Sequence, residues 1–518
     1  MGFDFSSQER RKLGYRLIDR IDQYYSSLNQ RAVQPPAAAR TSGYVPSSLP
    51  ELGDDASKVL DGLCREMIDK GFHIPAANYF GLMNPTPTYM AVLAEALVSA
   101  LNPQLASLAR SQFASSLEAE TLGWIASRFG WHRAGTVPES PASVPCDGTF
   151  TSGGNEANFT ALALAIAHHF PNAIEDGIAA IGARPVLYAS SESHHSLEKS
   201  AGLLGLGRKS LRRVPVNHSL RLDTARLILQ IEADYACGFL PFCIIATAGT
   251  TSSGAIDDLD ALASIAERYG LWLHVDGAYG AAAAFSDKHR GLLKGIERAD
   301  SITVDPHKWL SMPFAAGIIL TRHPAMLERA FSVASPYLQR SYQPGLSDNF
   351  KISAQWSRRM NSLKLWLTLR VHGRRAYEEM IESQMQLAAQ MREWFEQSDE
   401  FELTAPQTLP VLNFTLRGIS EESNADIEAA HQSFIDEFNR DGRYWISRTH
   451  VRGKSVLRMM IISYLSTAEH LAGLQQALQA AASRVPWQAA SLQKNDVRLM
   501  TDADLLLTNY SVSRTSFR

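Results

Sequence analysis

Cysteine is scarce in this chain of 518 residues: only Cys64, Cys146, Cys237 and Cys243, with no pair at metal-binding or redox spacing. That excludes a disulfide-stapled secreted scaffold and a cysteine-built metal site, and it predicts buried thiols in a reducing cytoplasm. Long apolar runs are also missing. Gly280-Ala-Ala-Ala-Ala-Phe285 is short and small, so no segment is expected to span a bilayer. The N-terminus passes from polar to charged residues, Met1-Gly-Phe-Asp-Phe-Ser-Ser-Gln-Glu-Arg-Arg-Lys12, without an apolar signal core. Neither sign of charge dominates: 50 Lys and Arg against 53 Asp and Glu leave a net charge of −3. A nucleic-acid binder would carry a one-sided basic surface, which this balance excludes. No internal repeat or low-complexity tract interrupts the chain. What is present is ordinary for a globular protein, 45% hydrophobic and 20% charged, and too long for a single small core.

Residues 1–90 read as a helical N-terminal segment. Leu13, Leu17, Ile18 and Ile21 recur at helical spacing within Gln8–Leu28, and further helices are expected over Asp55–Lys70 and from Thr86 to Leu101. Val33-Gln-Pro-Pro-Ala-Ala-Ala-Arg-Thr-Ser-Gly43 should be an extended connection. Residues 91–384 are expected to form a large α/β domain. Its clearest unit is a strand over Phe242–Thr247, a helix over Asp258–Tyr269 closed by Gly270, and a strand over Leu271–Asp276. Such a unit predicts a mainly parallel sheet covered by helices on both faces, with its ligand at one edge of the strands. Residues 385–485 should be a smaller α+β domain, with strands over Val411–Leu416 and Val456–Ile461 and a helix over Glu469–Ala482. Residues 486–518 are a polar tail.

Two residues at strand ends carry the chemistry. Asp276 closes the run Leu271-Trp-Leu-His-Val-Asp276, and Lys308 follows the β-rich run that leads into Val304-Asp-Pro-His-Lys-Trp309. An amine and an acid at the ends of neighbouring strands are what pyridoxal phosphate requires: the amine to hold its aldehyde, the acid to keep its ring nitrogen protonated. Thr151-Ser-Gly-Gly-Asn-Glu-Ala-Asn158, a small-residue turn opening a helix, would present backbone N–H groups to a phosphate. Within Ser191-Glu-Ser-His-His-Ser-Leu-Glu-Lys199, a flat imidazole could stack on the cofactor ring. Thr250 and Thr251 could reach its ring oxygen. Each fragment alone also suits a solvated loop or a turn; their order along one chain is what argues for a site.

That order resembles the group II pyridoxal-phosphate-dependent amino-acid decarboxylases, which include aromatic-L-amino-acid, histidine and glutamate decarboxylases. The resemblance runs from about residue 8 to 482. It is carried by His274-Val-Asp-Gly-Ala-Tyr279, Asp305-Pro-His-Lys-Trp309 and Ser362-Leu-Lys-Leu-Trp366. It implies a fold-type-I enzyme that decarboxylates an L-amino acid to the amine and CO₂. Lys308 would be the Schiff-base lysine, Asp276 the partner of the pyridinium nitrogen, His194 the stacking imidazole and Ala278 the support beneath the other ring face. Gly154 and Asn155 fall where the family binds phosphate, Thr251 where it approaches the ring oxygen, and His307 beside the lysine. It implies further an obligate homodimer with the site at the interface and the N-terminal helices wrapped across the partner.

The chain departs from that family in two places. Phe350, in Tyr342-Gln-Pro-Gly-Leu-Ser-Asp-Asn-Phe-Lys351, stands opposite a catalytic loop tyrosine, with Tyr342 as the alternative proton donor. A phenylalanine there accompanies aldehyde formation in relatives, so an aldehyde synthase is the competing expectation; others are a different fold-type-I lyase or aminotransferase, or a cofactor-free binding homologue. In Phe80-Gly-Leu-Met-Asn-Pro-Thr86, Met83 and Asn84 replace the aromatic pair of the aromatic-specific members, beside Thr86 at the substrate entrance.

Overall fold

The computed structural model describes residues 3–35, 48–133, 143–333, 346–419 and 422–485. An eight-stranded sheet is built from β1 (Trp131–Arg133), β2 (Val144–Thr151), β3 (Pro185–Ser190), β4 (Leu211–Val214), β5 (Leu240–Thr247), β6 (Trp272–Asp276), β7 (Ser301–Val304) and β8 (Gly317–Thr321), in the order β1-β2-β8-β7-β6-β5-β3-β4. Only β8 runs against its neighbours, and every other pairing is parallel. A second, antiparallel sheet follows, from β9 (Phe401–Leu403), β10 (Val411–Leu416), β11 (Ser447–Val451) and β12 (Lys454–Met460), in the order β11-β12-β10-β9.

The β5–helix–β6 unit shows why the parallel arrangement forms. Helix Leu259–Tyr269 starts where the Asp258 carboxylate accepts the Ala261 N–H and stops at Gly270, whose φ of +65° suits a residue without Cβ. It buries Leu259, Leu262, Ala263, Ile265 and Ala266 against the sheet, and every residue of β6 is buried. The chain then re-enters the sheet beside β5 in register, with Thr247 opposite Asp276. Both strands therefore end at the same edge, where Asp276 stands.

Elsewhere the structure adds to the sequence reading. Helices Leu108–Ser127 and Asn424–Phe438 were not anticipated. The first buries Ser111, Ser115, Glu118 and Thr121 beside Leu122 and Ile125, so it lacks the alternating polar face that announces a helix. The boundary expected at 384/385 falls inside one continuous helix, Ser362–Glu396, whose irregularity is at Gly373 (φ +72°) instead. Helices Ser7–Ser27 and Ala56–Lys70 bury no residue, and Arg16 pairs with Asp61 between them at 2.8 Å. Residues 36–43 of the expected connection and the tail 486–518 lie outside the described residues. Among the described residues no helix is long and apolar enough to cross a membrane.

Candidate active site

Asp276 is buried at the end of β6 and is held from two sides. Its Oδ2 accepts the Asn158 Nδ2–H at 2.8 Å, and its Oδ1 accepts the Ala278 N–H at 3.2 Å. Asn158 comes from helix Gly154–His169, whose remaining inward face is almost wholly alanine and leucine. Behind it, His274 Nε2 lies 3.1 Å from Asn158 Oδ1, and the Thr303 hydroxyl donates to the same oxygen at 2.9 Å. His274 is fully buried, and that burial holds its pKa well below the ordinary imidazole value, so the ring is neutral.

Lys308 lies four residues beyond β7, the neighbour of β6. Its Nζ is 3.2 Å from Asp305 Oδ2, and His307 Nε2 is 3.7 Å from the same oxygen. His307 Nδ1 accepts the Ala316 N–H at 3.1 Å, and burial lowers the pKa of this ring too. The other carboxylate oxygen, Asp305 Oδ1, is buried without a partner in the structure.

The glycine turn packs directly on this loop. Gly153 has φ of +152°, and a Cβ there would meet His307 Cε1 at 3.1 Å. On Gly154 a Cβ would meet Asp305 Oδ2 at 2.7 Å and Ala278 Cβ at 3.2 Å. Only glycines let the start of helix Gly154–His169 come this close. Gly153 provides no side-chain cap, so the helix opens with backbone N–H groups not claimed by a capping side chain. Asn155 is exposed beside it. Glu156 steadies the turn by accepting the Ser152 N–H at 2.8 Å and the Ser152 hydroxyl at 2.6 Å.

His194 is exposed to solvent near the cluster. Burial lowers its pKa first; the charges of Asp276, which raises it, and Lys308, which lowers it, place the ring in their field. Its Nδ1 accepts the Ser196 N–H at 3.1 Å, so the proton of the neutral ring is on Nε2. Ala278 is buried, with its carbonyl accepting the Asp305 N–H. The half-buried Thr251 has its carbonyl held by Arg458 Nη1 at 2.7 Å.

Arg458, on β12, escaped the sequence reading. It is 4% exposed, donates to Thr251 O and the Ser447 hydroxyl, and has no carboxylate in ion-pairing distance among the described residues. Burial brings its pKa down to about 10. Asn158 escaped as well. In both cases one polar residue interrupts an apolar element, a weak signal in a single sequence.

The remaining expected residues stand elsewhere. Phe350 is buried, its ring on Trp356 at 5.0 Å and its N–H donating to Ala106 O. No hydrogen bond or ring contact joins it to the cluster among the described residues. Asp348 accepts the Leu108 N–H, and Arg358 donates to Asn349 Oδ1, so this end of the 342–351 loop is anchored rather than free to close. Tyr342 lies outside the described residues. Met83 is buried in the core of the large sheet and Asn84 is half-buried. Thr86 is fully buried, with its hydroxyl bonded to Pro75 O at 2.7 Å and Ser463 Oγ at 2.9 Å. That segment bridges the two sheets: Met460 donates to Phe80 O, and Thr88 N–H to Ser311 O just beyond Lys308.

An uncapped helix start behind two glycines, an amine, a buried carboxylate and a flat neutral imidazole fit pyridoxal phosphate. The comparisons with known proteins agree. Residues 39–417 match the family described as Pyridoxal-dependent decarboxylase conserved domain. An aromatic-L-amino-acid decarboxylase of Bacillus atrophaeus is 30% identical over 483 residues, which cover 93% of this chain and 97% of the relative. An L-2,4-diaminobutyrate decarboxylase of Acinetobacter baumannii is 30% identical over 418 residues, 78% of this chain and 79% of the relative. The crystal structure of Oryza sativa TDC with PLP and tryptamine superposes with a TM-score of 0.84 at 25% identity, covering 93% of this chain and 99% of that one.

Proposed function

Given that the chain belongs to the pyridoxal-dependent decarboxylase family, we propose how its own residues divide the work. It is a fold-type-I, pyridoxal-phosphate-dependent carboxy-lyase that converts an L-amino acid to the amine and CO₂. When bound, the cofactor supplies an electrophilic carbon and a ring that takes up the electron pair left as CO₂ departs.

Lys308 would be the nucleophile that holds the cofactor, with the Asp305 carboxylate 3.2 Å from its amine. Asp276 would hold the proton on the ring nitrogen, its carboxylate oriented by the two N–H groups that already bind it. His194 offers a flat neutral face, with Ala278 on the opposite side. Gly154, Asn155 and His307 hold the phosphate, and Thr251 approaches the ring oxygen. Arg458 receives the negative end of the substrate, because a buried guanidinium without an anion is costly unless one arrives. Met83, Asn84 and Thr86 border the entrance, with Thr86 shaping it through its bonds to Pro75 and Ser463. Proton return to Cα falls to the 342–351 loop, where Tyr342 carries a hydroxyl and the anchored Phe350 does not.

The working unit is a homodimer. Helices Ser7–Ser27 and Ala56–Lys70 bury nothing of their own, and leave Leu63 55% and Met67 67% exposed, an apolar face that a second copy would cover. Its four cysteines are free thiols, which suits a reducing cytoplasm; Cys146 and Cys243 are buried as expected, but Cys64 is half-buried and Cys237 exposed.

The observation that carries this reading is the Asp276–Lys308 pair at the ends of adjacent parallel strands, with the glycine turn packed on the lysine loop. The test is a screen of L-amino acids for CO₂ release, with amine, aldehyde and peroxide followed together, in the wild type and in Lys308→Ala. The expected result is stoichiometric amine from the wild type and no turnover from the variant. Undiminished multiple turnover in Lys308→Ala would overturn the assignment of the lysine, and stoichiometric aldehyde, ammonia and peroxide would overturn the product.

A further inference from the structure

Asn158 is 1% exposed, and all of its hydrogen-bonding capacity is spent inside the protein. A hydroxyl fixes one end of the amide and a carboxylate the other. The Trp272 indole N–H can only donate, and it donates to Ser301 Oγ at 2.9 Å. His274 Nδ1 lies 2.9 Å from that hydroxyl and 3.2 Å from the Ser301 carbonyl oxygen. At the other end of the ring, His274 Nε2 lies 3.1 Å from Asn158 Oδ1. The Thr303 hydroxyl donates to the same oxygen at 2.9 Å. The oxygen end of the amide is thus fixed by Thr303, and its NH₂ end faces Ser196 Oγ at 3.0 Å and Asp276 Oδ2 at 2.8 Å.

We propose that Asn158 is a positioning residue for the reaction: locked by His274 and Thr303, it sets the place and orientation from which the Asp276 carboxylate grips the cofactor's ring nitrogen. This rests on the role given to Asp276 above. The donors run one way from the Thr303 hydroxyl through the Asn158 amide to the carboxylate, so each bond polarises the next. Asn158 suits this post because it accepts at one end and donates at the other. An aspartate there would set two carboxylates together, and an apolar side chain would leave Asp276 Oδ2 without its donor.

The test uses the holoenzyme loaded with pyridoxal phosphate labelled with ¹⁵N in the ring. The variants are Asn158→Ala, Thr303→Val and the double variant. Thr303→Val keeps the volume and removes a hydroxyl that bonds Asn158 and His274 rather than Asp276. Asn158→Ala should lower kcat about tenfold to hundredfold, the loss of one hydrogen bond to a charged group, with KM nearly unchanged. The ring-nitrogen resonance should move toward the unprotonated position. Thr303→Val should move it the same way by less, and should add nothing further in the Asn158→Ala background.

A folded Asn158→Ala enzyme whose resonance stays at the wild-type position would overturn the proposal, whether or not kcat fell. So would additive effects in the double variant, which mean independent packing. Should Asn158→Ala fail to fold, Thr303→Val decides alone: a shifted resonance supports the relay and an unmoved one refutes it. Retained turnover in Lys308→Ala would instead remove the reading of the site on which the relay depends.

Discussion

The buried ion pair between Glu118 and Arg358 should govern the stability of the segment that leads out of the 342–351 loop. Arg358 donates to Glu118 through Nη1 at 2.9 Å and Nη2 at 2.5 Å, and Nη2 also reaches Asn349 Oδ1 at 2.8 Å. The two side chains are only 1% and 4% exposed. Glu118→Gln keeps the shape and removes the charge, which leaves a guanidinium buried without its anion. Breaking such a pair from one side costs about 3–5 kcal/mol. The loss should be local, because Arg358 clasps residues 348–358 to helix Leu108–Ser127, where Leu108 N–H bonds Asp348 and Phe350 N–H bonds Ala106. Hydrogen exchange at those two amides is the assay. At ~1.4 kcal/mol per decade, protection should fall roughly a hundredfold to a few thousandfold if both amides exchange through that local opening. Glu118→Leu combined with Arg358→Met should recover most of it, since an apolar pair needs no desolvation. Unchanged protection in Glu118→Gln would refute the reasoning: the pair would then be an incidental contact and the anchoring of Phe350 would come from packing alone.

Asp276→Asn should still bind cofactor but turn over roughly a hundredfold more slowly or worse, because an amide cannot hold the ring proton; a wild-type rate in a steady-state assay would make Asp276 a structural cap. Lys364, 1% exposed, donates to Glu95 at 2.6 Å and to Pro313 O and Ala315 O at 3.0 and 2.9 Å. Lys364→Met should strip two carbonyls beside the lysine loop of their donor, at about 1–3 kcal/mol each, and equilibrium dialysis should show weaker cofactor retention; equal affinity would count against a role in that loop. His431 bonds Thr415 and Ser455, and burial lowers its pKa from 6.5 to about 4. Its folded pKa is depressed, so the unfolded chain takes up the proton first. Stability is complete above about pH 6.5 and falls as pH drops toward 4, by ~1.4 kcal/mol per unit for this one group. His431→Gln should flatten the acid side of the denaturation midpoint against pH by about one proton, and an unchanged slope would mean the ring titrates normally.

The large sheet was legible because its core strands are buried on both faces and its helices on one. Ile244, Ile245, Leu273 and Val275 are all buried, and β5 and β6 read as short continuous apolar runs. Asp258 and Gly270 mark the two ends of the helix between them. Helix Leu108–Ser127 offered no such contrast, because serines, a threonine and a glutamate share its buried surface. Its polar residues are satisfied by partners far away in sequence: Glu118 by Arg358, and Ser115 by Asn349. Such partners emerge only when the chain is folded. The reversed β8 was hidden for a related reason, since Ile318, Ile319 and Leu320 would look the same running in either direction.

The site divides along the same line. Lys308, Asp276 and the glycine turn were readable because each sits where a regular element stops, and a parallel sheet brings such endings to one edge. Their supports were not. Asn158 lies four residues into a helix, where its neighbours argue for packing and nothing local argues for a polar contact. Its meaning comes from Asp276, 118 residues away, and Thr303, 145 residues away. Arg458 likewise depends on Thr251, 207 residues earlier. A reacting group must project from the end of an element to meet a ligand, so it leaves a local mark. A group that only aims another can sit anywhere the fold brings it, and burying a polar side chain there demands a bonded partner. Side chains that tune this chemistry are therefore buried polar groups with fully spent hydrogen bonds, as Asn158 is.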